Sequence, residues 1–328
     1  MALTKSKQGL EPNAKKNKGA RLPQRNGKGG TSFWARLWAQ RELWLMVLPG
    51  LAFYVIFRYG PMYGLKVAFQ DYSPFLRDNS PWVGWKHFEM FFSKPDFLRL
   101  LRNTLTLGAL SLGVTFPLTV IFSLVLNEVR QMKAKKFYQT VSYLPTFFSI
   151  VIICSLFIQM FSVSGIVNDI VEMFGGERTQ YLLKSEWYYF IYIVSEVWAG
   201  VGSGAIIYLS ALSGVDTQLY EAAELDGCTR FKRIIHITLP SIMPTIVTMF
   251  LLRVGNIIRI GADKTLLLAE PITAEVSDIF ATYVYKMGIL QGSTSYSAAI
   301  GLFESVVAAT LLVIFNYISR KRSGNSLW

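Results

Sequence analysis

Along six stretches of the chain, apolar side chains fill nearly every position rather than one face of a helix or alternate positions of a strand. These run roughly over 43–59, 104–126, 137–161, 187–212, 240–260 and 296–319. A bilayer core of ~30 Å takes about 20 mostly apolar helical residues. A lone strand in lipid would leave its backbone groups unpaired, so each stretch is expected to be a transmembrane helix. The pattern therefore predicts an all-α, polytopic membrane protein of six spans over 43–319, between a basic tail of 1–42 and a short tail of 320–328.

Two stretches between the spans are built differently. The first is PWVGWKHFEMFFSKPDFLRLLRNTL, which places Trp82, Trp85, Phe88, Phe91, Phe92, Phe97 and Leu98 beside a helix entrance. Aromatic side chains in that position usually mark a membrane–water interface, the alternative being a ligand-facing role. The second is LYEAAELDGCTRFKRIIHITLP, residues 219–240. It reads as a charged helix, a break at Gly227, and a second helix whose face of Phe231, Ile234, Ile235 and Ile237 can lie on the bilayer or on other loops. Gly227 permits a turn that a residue with a Cβ resists. Pro240 is expected to open span five, where its missing N–H does little harm.

Composition and charge sharpen this. Only 16% of the 328 residues are charged and 52% are hydrophobic, with a mean hydropathy of +0.35. A soluble protein of this size needs more charge to stay wet. Ten of the 33 basic residues lie before the first span, from Lys5 to Arg41, against Glu11 and Glu42. This Lys-, Gly- and Asn-rich segment is expected to be disordered. The net charge of +12 fits basic segments beside a cytoplasmic leaflet better than nucleic-acid binding. The basic loop EVRQMKAKK, the Arg230–Arg233 region and the terminal Arg320, Lys321 and Arg322 all fall on one side of a six-span topology. Both termini and the amphipathic stretch are therefore expected in the cytoplasm. The seven basic residues of the first opposite-side loop, from Arg58 to Arg102, are an exception. Cys154 and Cys228 fall in a span and a loop, so no disulfide is expected, and His87 and His236 cannot make a metal site unaided.

From Glu221 the chain reads E-A-A, three residues, Gly227, nine residues, Ile237, one residue, Leu239-Pro240. This resembles the EAA signature of permease subunits of type I ABC importers, the cytoplasmic coupling helix, here about 216–236. PMYGLKVAFQDYSPF, NTL at Asn103–Leu105, QTVSYLP at 139–145 and the terminal SLW are similar to the oligosaccharide branch of the carbohydrate importers. That branch includes permeases for plant-wall and algal polysaccharide fragments such as pectin or alginate oligosaccharides. The resemblance covers nearly everything after Arg41. It implies the type I permease fold and a second permease subunit, usually a different chain. It also implies two cytoplasmic ATPase subunits that bind and hydrolyse the ATP, and an extracytoplasmic solute-binding protein. Glu221, Ala222, Ala223, Asp226 and Gly227 are then the residues that couple to the ATPase.

No cofactor, metal or catalytic group of the chain's own is expected. GVGSGA at Gly200–Ala205 fits a dinucleotide pattern only as a bare string, because it lies inside an apolar helix where small residues permit close packing or a break. NGKGGTS in the tail lacks the order of a phosphate loop.

Span five carries Arg253, Asn256 and Arg259, which at 100° per residue fall within an arc of about 120°. A mid-membrane arginine costs about 2.5–3.5 kcal/mol on insertion scales, so these groups should face water or a partner. Glu196 and Glu304 are the expected counter-charges. With Trp198 these residues are candidates for the translocation pathway, and the alternative role for the charges is a structural ion pair. The typical pattern of the family that this chain resembles has small or uncharged residues where Arg253 and Arg259 stand, and an aromatic–acidic pair where this chain has Ala262-Asp263, so the chain departs from it there. Two arginines suit an anionic, uronate-type oligosaccharide. A stripe of Gly301, Ser305 and Ala309 is expected to pack against another helix, in this chain or in the second permease, with pocket-lining as the alternative. The alternative function is a secondary, ion-coupled sugar transporter, which explains six spans and buried charges but not the EAA spacing.

Overall fold

A computed structural model describes residue 38, residues 40–324 and residues 326–327. The expected disorder of the basic tail, and Trp328 of the SLW end, lie outside the described residues. Among those residues there is no strand, only one antiparallel bridge between Gln70 and Trp82.

Among the described residues, five helices are long and apolar enough to cross a membrane: Arg41–Phe69, Asp96–Asn127, Ser185–Ser213, Arg230–Gly255 and Thr294–Lys321. The remaining span is broken. Met132–Phe147 and Ile150–Met160 meet at 101°. Pro145 tightens the end of the first piece into a 3-10 turn, Phe148 is extended, and the Ser149 hydroxyl caps the second piece by accepting from the Ile152 N–H at 3.4 Å. We number these spans one to six in chain order, the bent pair being span three.

Two units make up the chain, residues 1–63 and 64–328. In the first, the helix Arg41–Tyr54 runs into a wide turn, Val55–Tyr59, and none of these residues is buried. In the second, spans two to six build the interior, span three through the buried Ile153, Cys154 and Phe157. Span two lies along span four, and span five along span six. Small residues set the spacing. A Cβ on Gly202 would meet the Ser142 carbonyl oxygen at 2.0 Å, and one on Gly204 would meet the Thr119 methyl at 2.9 Å. The Gly-rich string in span four is thus a packing surface, and the helix runs through it unbroken.

Prolines explain three of the four wide turns among the described residues; the fourth, Lys286–Leu290, has no proline after it. Three wide turns, Val55–Tyr59, Ser111–Thr115 and Ile234–Thr238, each end two residues before a proline: Pro61, Pro117 and Pro240. A proline ring clashes with the carbonyl four residues back and offers it no N–H. Those carbonyls belong to Phe57, Gly113 and His236. Each is at the centre of its turn, and widening the turn moves it off the ring. This corrects the expected start of span five. Pro240 lies inside a helix that already begins at Arg230, because the wide turn accommodates it.

The far end of span five also differs from expectation. The helix stops at Gly255, not near 260. The Asn256 side-chain amide donates to the Leu252 carbonyl at 3.0 Å, while its backbone N–H turns to Arg253 at 3.0 Å. That closes the last turn and leaves Arg259 in the following loop.

On the side opposite the 219–240 connection, the first loop is a small aromatic lobe. Phe69 stacks on Trp82 at 5.6 Å and meets Trp85 edge-on at 5.5 Å. Phe88 and Phe91 are buried beneath, while both tryptophans stay about two-thirds exposed (66% and 64%). Lys86 donates to Asp71 at 2.7 Å and holds that carboxyl below its ordinary value. The NTL string has a structural role here. The buried Asn103 amide donates to the carbonyls of Glu275 and Asp278 at 2.8 and 2.9 Å, and Thr104 accepts from the Phe280 N–H at 3.2 Å. Together they pin the segment 274–280 between spans five and six.

Candidate functional site

Two places in the second unit carry the chemistry anticipated from the sequence. One is a cavity of about 230 Å³ walled by spans two, four and five and the loop after span five. Its walls include Ser111, Tyr192, Glu196, Arg253, Asn256, Arg259 and Lys264. Close approach again rests on a glycine: a Cβ on Gly108 would meet the Ile257 carbonyl oxygen at 2.3 Å.

The polar groups inside are unevenly satisfied. Glu196 accepts a short hydrogen bond from the Ser111 hydroxyl at 2.6 Å. Ser111 opens the wide turn of span two, so the same irregularity that accommodates Pro117 helps aim this hydroxyl. The Arg253 guanidinium stands 3.7 Å from the same carboxylate oxygen, beyond the ~2.7–2.9 Å of a charge-assisted hydrogen bond. Among the described residues, the Arg253 side chain makes no hydrogen bond and the Arg259 side chain neither hydrogen bond nor ion pair. Lys264 donates to the Tyr192 carbonyl at 2.7 Å and lies over the Tyr192 ring, 3.9 Å from its centroid. Three cations thus face one carboxylate, a formal excess of two positive charges in a mostly apolar surround.

Arg253, Asn256, Arg259 and Glu196 therefore share one cavity, although Arg259 reaches it from a loop and not from the helical face that periodicity suggests. Trp198 does not join them. One residue along on span four from Val197, it lines a larger apolar cavity of about 550 Å³ with Phe122, Tyr138 and Pro145. Glu304 does not line the first cavity either. It lies within electrostatic reach of Arg259 but forms no ion pair with it. Glu196 is thus the one carboxylate of the two that meets an arginine. Ser111, Tyr192 and Lys264 were not anticipated. Lys264 had a signal, a lone cation in GADKTLLLAE, but no periodicity links it to span four. In the small-residue stripe of span six, a Cβ on Gly301 would meet nothing of this chain within 4 Å, which leaves room there for a helix of another subunit.

The second place is the connection between spans four and five. A helix over Thr217–Leu225 is capped by Asp216, whose carboxylate accepts from the Gln218 N–H at 2.9 Å. It ends in a left-handed glycine, Gly227, at φ +69°. The Cys228 N–H returns to the Ala223 carbonyl at 2.9 Å and the Gly227 N–H to Glu224 at 3.1 Å. These paired bonds satisfy the carbonyls at the helix end. Thr229 then caps span five. Two braces cross the turn: Glu224 to Arg233 at 3.3 Å and the Tyr220 hydroxyl to Thr238 at 3.0 Å. Glu221, Ala222, Asp226 and Gly227 are exposed, with Leu225 (90%) and Phe231 (71%) beside them. Ala223 is buried, so of the two alanines only Ala222 is open to an approaching surface. Neighbours on a helix point about 100° apart, and one of the pair must turn inward.

Comparisons with known proteins fit this architecture. Residues 115–324 match the family described as the binding-protein-dependent transport system inner membrane component. A polygalacturonan/rhamnogalacturonan transport system permease protein, YteP of Bacillus subtilis, is 44% identical over 288 residues, 87% of this chain and 90% of that one. The protein LplB of the same organism is 43% identical over 294 residues, covering 89% and 92%. Among solved structures, a bacterial ABC transporter involved in the import of the acidic polysaccharide alginate superposes with a TM-score of 0.82. It has 37% sequence identity, over 88% of this chain and 99% of that chain. A second alginate transporter structure, in complex with an alginate pentasaccharide-bound periplasmic protein, gives 0.83 at 36% identity, over 90% and 100%. The match sets aside the ion-coupled carrier. With its six-span helical fold and its glycine turn between spans four and five, the chain belongs to the binding-protein-dependent transport family of inner membrane components, as the permease subunit of an ABC importer.

Proposed function

We propose that this permease imports acidic oligosaccharides, with Arg253, Arg259 and Lys264 reading the carboxylates of a uronate-type chain. The observation that carries the reading is the cation excess of the cavity between spans two, four and five. A charge inside a membrane protein is expensive unless something answers it, and two guanidinium groups here have hydrogen-bonding capacity unspent. The similarity to permeases and structures whose names specify polygalacturonan, rhamnogalacturonan and alginate, all acidic polysaccharides, points the same way.

In this reading the chain pairs with a second permease, a different gene product, in the cell membrane, with both termini in the cytoplasm. Two ATPase subunits bind the exposed face of Glu221, Ala222, Asp226 and Gly227, and their closure on ATP turns the pathway from inward- to outward-facing. Ala223 acts from beneath that face. A solute-binding protein delivers the sugar on the opposite side. The chain binds no ATP and has no catalytic group of its own.

The test is uptake by the complete transporter in proteoliposomes, comparing an oligogalacturonate with its fully methyl-esterified, neutral counterpart. Preferential uptake of the acid is the expected result. Equal or faster uptake of the neutral chain refutes the assignment.

A further inference from the structure

Why does a cavity suited to an anion hold a carboxylate of its own? Glu196 is not there to neutralise Arg253 fully, since the pair stands at 3.7 Å while Ser111 holds the carboxylate at 2.6 Å. Nor does Glu196 serve Arg259, which has no ion pair among the described residues. Lys264 is within electrostatic reach of Glu196 but spends its short contact on the Tyr192 carbonyl. The carboxylate is thus tethered by a neutral group beside a guanidinium whose donors stay free.

We infer that Glu196 is an internal stand-in for a substrate carboxylate, held by Ser111 beside Arg253 and answering that guanidinium until a uronate takes over its donors. This inference rests on the acidic-oligosaccharide reading and deepens it. The part of the cavity that this chain walls, about 230 Å³, is below the ~300–1,000 Å³ of sites that enclose a drug-sized ligand, so it suits one sugar unit and not a whole oligosaccharide. An arriving uronate offers two oxygens to the planar fork of Arg253, a geometry that a single oxygen at 3.7 Å does not satisfy. Glu196 stays on Ser111, with Lys264 nearby to answer its charge. The exchange is isoelectric at Arg253. The empty site is spared a wholly unanswered arginine, and the loaded site releases its cargo more readily than a site with no competitor would. A transporter needs both properties, because a sugar held too tightly is not delivered.

Two substitutions act in opposite directions. Glu196→Gln removes the competitor and keeps the shape, so the acid binds more tightly. Ser111→Ala removes the tether and lets Glu196 swing fully onto Arg253, so the acid binds more weakly. Partly exposed ion pairs are worth up to ~1 kcal/mol, or about fivefold in each direction. The experiment measures binding of fluorescent trigalacturonate and its trimethyl ester to the complete permease–ATPase complex in nanodiscs, without the solute-binding protein. Expected are a roughly fivefold tightening with Glu196→Gln and a weakening with Ser111→Ala, with the ester little changed. General damage to the site moves both variants the same way and overturns the stand-in role, as does an unchanged affinity in Glu196→Gln. If the unaltered complex binds acid and ester equally, the acidic-substrate reading itself fails, a separate outcome.

Discussion

Gly227 offers the sharpest perturbation, because its surroundings isolate one physical cause. Its φ is +69°, and a Cβ built on it meets nothing within 4 Å. Gly227→Ala therefore adds no clash, only the cost of holding an L-residue in the left-handed region, about 1–2 kcal/mol. Asn, which adopts that region more readily, should lose much less. Gly227→Pro is worse on two counts. It forbids a positive φ and removes the N–H that donates to Glu224 at 3.1 Å. It also disrupts the neighbouring Cys228–Ala223 bond, and at about 1 kcal/mol per hydrogen bond the total reaches about 3–4 kcal/mol. If the ATPase recognises the turn as built, 1–2 kcal/mol reduces the competent population by about 5- to 30-fold. The assay is an affinity pull-down of tagged permease from native membranes in mild detergent, with ATPase activity assayed on the eluate and normalised to folded permease. The expected order is Gly, then Asn, then Ala, with Pro lowest. Equal losses for Asn and Ala, or full retention by Pro, would show that the left-handed turn is not what the ATPase reads.

Other outcomes follow from single contacts. Gly202→Ala drives a Cβ into the Ser142 carbonyl and should cost about 1–3 kcal/mol, visible as a lowered Tm in detergent. Gly200→Ala, with nothing within 4 Å, should leave Tm unchanged, and equal effects at the two sites refute the packing account. Asn103→Ala deprives two backbone carbonyls of their donor and should destabilise segment 274–280 by about 2–5 kcal/mol. Hydrogen exchange localised to that segment checks it, and unchanged protection refutes it. Arg259→Gln should reduce uptake of an oligogalacturonate at low concentration by about tenfold or more, and that of its methyl ester by less than about twofold. Equal losses for both sugars would make Arg259 structural.

The features most legible in the sequence are those fixed by local chemistry. Apolar length locates the spans, and the Gly227 turn follows from its spacing because a glycine accepts that backbone without strain. The limits of the spans are less legible, because they depend on side chains that compete with the backbone. Asn256 ends span five by taking the Leu252 carbonyl, a choice that hydropathy does not register. Pro145 announces some irregularity in span three but not a bend of 101°. Of the cavity, periodicity indicates Arg253 and Asn256, but Arg259 reaches it only because the helix has ended. Lys264 and Ser111 arrive from other elements, through contacts that no local pattern encodes. Trp198 shows the converse, since its neighbourhood in sequence says nothing of which way a helix is rotated.

Span five also has a mechanical meaning. Its first residue, Arg230, follows the Gly227 turn, and Arg253 stands at its far end on the cavity wall. The separation of 23 residues is about 35 Å of rod. A tilt of about 5° around its midpoint displaces each end by ~1.5 Å in opposite senses. That is enough to turn a 3.7 Å encounter between Arg253 and Glu196 into a contact or a gap. The wide turn at Ile234–Thr238 lies near the glycine-turn end, so a pivot there instead of at the midpoint would make the arm that reaches Arg253 the longer one. In the proposed coupling to an ATPase, a small stroke at the membrane surface would thereby reach the charge balance of the cavity.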